Sequence, residues 1–107
     1  MSQDCTGTAL VFSGRPDPEW PVDRDQAARL RALWLTMTAA ASVPPSAPAL
    51  GYRGCALRCA TGEEWLAYGG SVSLTSASGS DRRGDPERQF ERLLLATAPR
   101  GMLPSVL

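Results

Sequence analysis

The chain has 107 residues, with 11 acidic and 11 basic side chains and a formal net charge of zero. That length holds one small domain. A charge balance of zero supplies no surplus cation to displace counterions from nucleic acid, so no nucleic-acid partner is expected. The chain contains no His, Lys, Asn or Ile. Without His there is no imidazole base near neutral pH and no Ser-His or Cys-His dyad. Without Lys there is no Schiff base and no P-loop. Every side-chain cation is an Arg, suited to gripping carboxylates or phosphates.

Residues 1–7 begin polar and are expected to be disordered. Thr8 to Ser13 (TALVFS) reads as a short strand. It ends at Gly14 and the stretch Arg15-Pro16-Asp17-Pro18-Glu19-Trp20-Pro21, whose three prolines argue against both helix and ladder. Trp20 is expected to fold back onto the core.

Asp23 with Gln26 makes a capping-box pattern at the start of a helix. Leu30, Leu33, Trp34, Met37 and Ala41 follow at helical spacing. The pattern stops before Val43-Pro44-Pro45, and 42–50 reads as a Pro/Ala/Ser linker in extended conformation.

Gly51 to Cys59 (GYRGCALRC) reads as a second strand, with Cys55, Leu57 and Cys59 on one face. Ala60 to Glu63 is a hairpin turn. Glu64 to Thr75 reads as one third strand, with Gly69-Gly70 taken as a bulge. Ser76 to Gly84 is expected to be a polar loop. Asp85-Pro86-Glu87 opens a second helix whose apolar side is Phe90, Leu93 and Leu94, and Pro99 with Gly101 stops it. Residues 101–107 form a tail.

The expected order is therefore strand, helix, strand, strand, helix. That is an α+β domain with two layers: an antiparallel sheet of about three strands and two helices on one face. Leu30, Leu33, Trp34, Leu57, Leu66, Phe90, Leu93 and Leu94 form its expected core.

The S-G-R-P-x-P-x-W loop at Ser13–Trp20 and the G-Y-R-G segment at Gly51–Gly54 resemble the layout of a family of small single-domain proteins. The resemblance spans most of the chain and implies one intact domain. It implies no activity, cofactor or partner.

Three groups of residues carry chemistry worth weighing. Arg15 and Arg53, each beside Gly, with Trp20 and Tyr52 nearby, could line an anion or ligand site. The plainer reading pairs each Arg with a loop carboxylate such as Asp17 or Glu19. Cys5, Cys55 and Cys59 are odd in number, which favours free thiols in a reducing compartment. Cys55 and Cys59 on one strand lie roughly 13 Å apart, too far for a disulfide. With no His to complete a ligand set, no metal site is expected. Ser105-Val106-Leu107 fits the tail that PDZ domains bind by strand addition. The tripeptide Arg83-Gly84-Asp85 is better explained by Asp85 as a helix cap.

No apolar run reaches the roughly 18 residues needed to span a bilayer. The expected setting is intracellular, in the cytoplasm, with a protein partner, no cofactor and no membrane contact. Two functions compete. One is a non-enzymatic interaction module docking through its sheet face, a loop or the tail. The other is a small anion- or ligand-binding domain or enzyme built on Arg15 and Arg53. The lack of a matched acid–base pair favours the module.

Overall fold

The computed structural model describes residues 5–11, 17–39, 52–101 and 103. The expected linker at 42–50, the residue Arg15 and the tail Ser105-Val106-Leu107 lie outside these residues.

Six strands form one antiparallel sheet: β1 (Cys5–Ala9), β2 (Glu19–Val22), β3 (Cys55–Cys59), β4 (Glu64–Tyr68), β5 (Ser71–Ser76) and β6 (Gly79–Gly84). Their order across the sheet is β2-β1-β3-β4-β5-β6. Helix α1 (Arg24–Thr36) joins β2 to β3, and α2 (Gln89–Ala96) follows a 3-10 turn at Pro86–Arg88.

The expectation of about three strands is thus overturned, for three local reasons. Gly69 and Gly70 have φ of 60° and 92° and reverse the chain, so Glu64 to Thr75 is a hairpin and not one bulged strand. Two consecutive left-handed residues are what a tight hairpin turn requires, and glycine adopts them without steric penalty. The presumed loop at 76–84 turns at Ala77-Ser78 and returns as β6, with Ser76 opposite Gly79. The proline-rich stretch also contributes a strand, β2, because it is an edge. Ala9 N–H donates to the Pro18 carbonyl, and the alternation places the nitrogen of Pro21 outward, where no ladder bond is lost. The first strand starts at Cys5, three residues before the expected Thr8, so the presumed disordered segment 1–7 overlaps β1.

Helix α1 starts as its sequence dictates. The Asp23 carboxylate accepts from Gln26 N–H, and the Gln26 side chain accepts from Asp23 N–H. Ala27, Leu30 and Trp34 are its buried side. Its last turn carries no cation of its own. Arg83 of β6 supplies one: the guanidinium lies 4.3 Å from the Trp34 ring centroid and donates to the Trp34 carbonyl.

Along each strand one face turns to the helices. That face carries Trp20, Val22, Cys5, Ala9, Cys55, Leu57, Cys59, Trp65, Ala67 and Val72, all buried, and with Leu30, Phe90 and Leu94 they form one core. The Trp20 indole lies against Gly7, where an added Cβ would stand 2.6 Å from the ring, and its N–H donates to Thr97 Oγ1 at 2.8 Å. Leu33 and Leu93 are only partly buried, and Leu66 is exposed. The expectation that Leu66 is core fails by strand parity. Trp65 and Ala67 take the helix side, so Leu66 must point away.

Cys5 and Cys59 face each other across β1 and β3 and form a disulfide. Their Cα atoms are 4.0 Å apart, as in the close pairs of an antiparallel ladder. Cys55 is free and buried. The reading of three reduced thiols is overturned, and the argument from free thiols to a reducing compartment loses its premise. Cysteines were compared along one strand, whereas the bond forms between neighbouring strands. Among the described residues no helix is long and apolar enough to cross a membrane.

Candidate functional site

Two regions could act: a polar cluster at the start of α2 and the sheet face that no helix covers.

The cluster centres on Glu91, a fully buried carboxylate on α2. Arg88 grips it with two bonds, Nε at 3.2 Å and Nη2 at 2.8 Å. Gly69 N–H donates at 3.1 Å, and the Tyr52 hydroxyl donates as well. Four donors fill the carboxylate's accepting capacity, and that makes it a structural pin. Asp85 is also buried, and its two oxygens accept from Phe90 N–H and Glu91 N–H. Asp85 therefore satisfies two N–H groups in the first turn of α2, but the helix expected to open at Pro86 begins at Gln89, with Arg88 at the N-cap position. Pro86 opens only a single 3-10 turn, and Glu87 and Arg88 adopt left-handed φ of 56° and 58° before α2 begins. The Arg88 conformation costs energy for a residue with a Cβ. It sets the guanidinium against Glu91.

Burial, the neighbouring Cys55 thiol and the bond to Glu91 raise the Tyr52 phenol above its usual range. Burial likewise pushes the Cys55 thiol up to about 12, against a smaller opposing effect of its bond with Tyr52. The bond to Glu91 raises Arg88 further. A phenol and a thiol held neutral beside a saturated carboxylate offer neither base nor nucleophile at neutral pH.

The sequence-predicted binding residues are thus dispersed in role. Tyr52 belongs to the Glu91 cluster. Trp20 is 1 % exposed and structural. Arg53 follows Tyr52 before β3, where its N–H donates to the Leu10 carbonyl. Arg15 lies outside the described residues. A shallow depression lies elsewhere, at the β5–β6 hairpin, lined by Leu74, Ser76, Ser78, Gly79, Ser80 and Asp81. Asp85 of the Arg83-Gly84-Asp85 tripeptide is buried as a cap, and Arg83 is spent on Trp34.

The second region is the opposite sheet face. Register places its side chains in rows across the strands. One row runs Pro21, Thr6, Arg58, Glu64, Thr75, Ser80; the next runs Glu19, Thr8, Ala56, Leu66, Ser73, Arg82. Leu66 is 43 % exposed in the middle of it. Beside Leu66 on β3 sits Ala56, which is buried. Gly54 continues the low line of β3 next to Tyr68, and a Cβ there would stand 2.7 Å from the Ala67 carbonyl oxygen. The result is a ridge along β4 beside a furrow along β3. An ion pair between Arg58 and Glu64, 3.3 Å, stands at one end of it.

Both sheet edges are blunted. β2 presents Pro21 outward. On the outer side of β6, Arg82 N–H is taken by the Asp81 carboxylate and Gly84 N–H by the Thr38 carbonyl, where Ala39 bridges to Arg83. These devices disfavour the addition of a foreign strand. The signal for this face was in the sequence, in the alternation of Glu64, Leu66 and Tyr68, but the face could not be assigned until all six strands were counted.

Searches against family models, curated proteins and solved structures return no match. The resemblance of the S-G-R-P-x-P-x-W and G-Y-R-G segments therefore rests on those motifs alone.

Proposed function

We propose that this chain is a small non-enzymatic interaction module that docks a protein partner through the open face of its sheet, around Leu66. The observation that carries the reading is the contrast in how side chains are used. The helix-side face is fully employed in the core, and the titratable cluster at Glu91 is saturated. Leu66 is a large apolar side chain left exposed on the β4 ridge, in the middle of the face that no helix covers. Exposed apolar groups on otherwise polar surfaces mark interaction sites when neighbours complete a patch. Leu35 on α1 is more exposed, at 73 %, but it projects singly from the last turn. A competing ligand-binding role for Arg15 and Arg53 draws no support from Tyr52 or Trp20, whose polar atoms are engaged inside the fold.

The test is capture of partners from the native source with three immobilised full-length baits: the unchanged chain, Leu66→Arg and Leu35→Arg. Loss of the captured proteins with Leu66→Arg alone supports the reading. Loss with Leu35→Arg alone moves docking to the helical layer and overturns it.

A further inference from the structure

The pin at Glu91 has a fixed half and an exchangeable half. We infer that the Glu91 niche is a guanidinium site in which Arg88 is a displaceable occupant, and that its ligand is an arginine side chain presented by a protein partner. The guanidinium chemistry stands apart from the docking reading at Leu66, and only the choice of a protein as its carrier rests on that reading.

Each oxygen of the carboxylate accepts one bond of each kind. Oε1 takes Gly69 N–H at 3.1 Å, and Oε2 takes the Tyr52 hydroxyl. Gly69 belongs to the β4–β5 turn and Tyr52 to the segment before β3, so these donors are built into the fold. The other bond on each oxygen comes from Arg88, Nε to Oε1 at 3.2 Å and Nη2 to Oε2 at 2.8 Å. This is the two-pronged fit of a guanidinium on a carboxylate, which an ammonium does not reproduce. Glu91 is fully buried, whereas the Arg88 side chain is 51 % exposed. The occupant therefore meets solvent while the carboxylate it covers does not.

The backbone shows that this occupancy has a cost. Asp85-Pro86-Glu87 is a helix-opening sequence. The chain instead turns left-handed at Glu87 and Arg88, with φ of 56° and 58°, before α2 begins. Consecutive left-handed residues with a Cβ are unfavourable, and such strain gathers at clamps and switches. Tethering gives Arg88 a high effective concentration at Glu91, and the strain offsets part of it. An arginine on another chain bears no such backbone cost. Withdrawal of Arg88 alone leaves a buried carboxylate without its bidentate cation, so the emptied niche favours a replacement strongly. The setting favours a protein as carrier. Tyr68 shares the open face of β4 with Leu66, and its ring centroid is 6.0 Å from that of Tyr52. Tyr52 thus links the niche to one end of the face proposed for docking.

Arg88→Gly empties the niche and keeps the left-handed turn, because glycine adopts that φ without steric cost. Thermal melts of this full-length variant, with its fold checked by circular dichroism, test the site with methylguanidinium as the probe. About 50 mM, too dilute to denature, should raise its melting temperature by about 5 °C over equal sodium chloride. Methylammonium should give no such rise, and the unchanged chain, with Arg88 in place, should gain less than about 1 °C. In the unchanged chain, N-acetylarginine amide added to about 300 mM should move the Arg88 Nε–H resonance progressively toward that of free arginine. Proteins captured from the native source by the unchanged chain should be released by methylguanidinium and not by methylammonium. A variant that gains nothing over sodium chloride, that responds equally to methylammonium, or that folds under neither condition overturns the site. So does an Arg88 resonance that stays fixed throughout. A working site whose captured proteins resist methylguanidinium overturns the protein carrier and makes free guanidinium compounds the ligand. Failure of the site with capture still dependent on Leu66 leaves the docking reading standing.

Discussion

The start of α2 and the open face of the sheet use polar and apolar groups in opposite ways. Around Glu91 a buried carboxylate receives four donors from the β4–β5 turn, the segment before β3 and the 3-10 turn ahead of its own helix. Around Leu66 an apolar side chain stands in water beside a furrow and an exposed ion pair. The first arrangement spends all its bonding capacity internally, so it holds elements together. The second leaves surface whose burial would release water, and it contributes little to the isolated fold. Conspicuous chemistry in this molecule thus holds the fold together, and the bland face is the one proposed for docking.

The comparison is most easily broken at Glu91. Glu91→Ala leaves the Tyr52 hydroxyl and Gly69 N–H without their acceptor and is expected to cost about 3–5 kcal/mol, read by urea denaturation. A cost below about 1 kcal/mol would mean that the cluster is not a pin. Replacing Cys5 and Cys59 together by Ala opens a covalent loop with a sequence separation of 54 residues. The expected loss is about 2–5 kcal/mol, and it should be matched by adding reductant to the unchanged chain.

An alkaline titration sharpens the same contrast. Cys55 titrates higher in the folded chain, at about 12, than in the unfolded chain, where its ordinary value is 9.0. The folded state thus holds a proton that the unfolded state loses, so stability is full below about pH 9 and falls as pH rises toward 12. Tyr52 shifts in the same direction and adds to the loss. Cys55→Ala should make the decline shallower in thermal melts between pH 8 and 11. An unchanged slope would remove the thiol from the account.

The smallest expected effect is at the open face. Leu66→Ser should change folding stability by no more than about 0.5 kcal/mol while weakening association. A large loss of stability would return Leu66 to the core and erase the distinction.

Some local features were legible in the sequence. The Asp23–Gln26 box lies within one helical turn, and the Cys55, Leu57 and Cys59 face lies within one strand. Features that needed a partner strand were misread. Gly69-Gly70 fits a bulge or a turn equally well until β5 is seen to return along β4. The pairing of Cys5 with Cys59 depends on β1 lying beside β3 in a particular register.

The sequence by itself therefore determined the α1 start, the helix-facing side of β3 and the absence of imidazole and amine chemistry. These follow from groups a few residues apart or from composition. Only the tertiary structure decided the number of strands, the disulfide, the internal role of Tyr52, and the exposure of Leu66. Each of those depends on which strands become neighbours, and pairing between residues distant in sequence is set by burial of the whole sheet face at once.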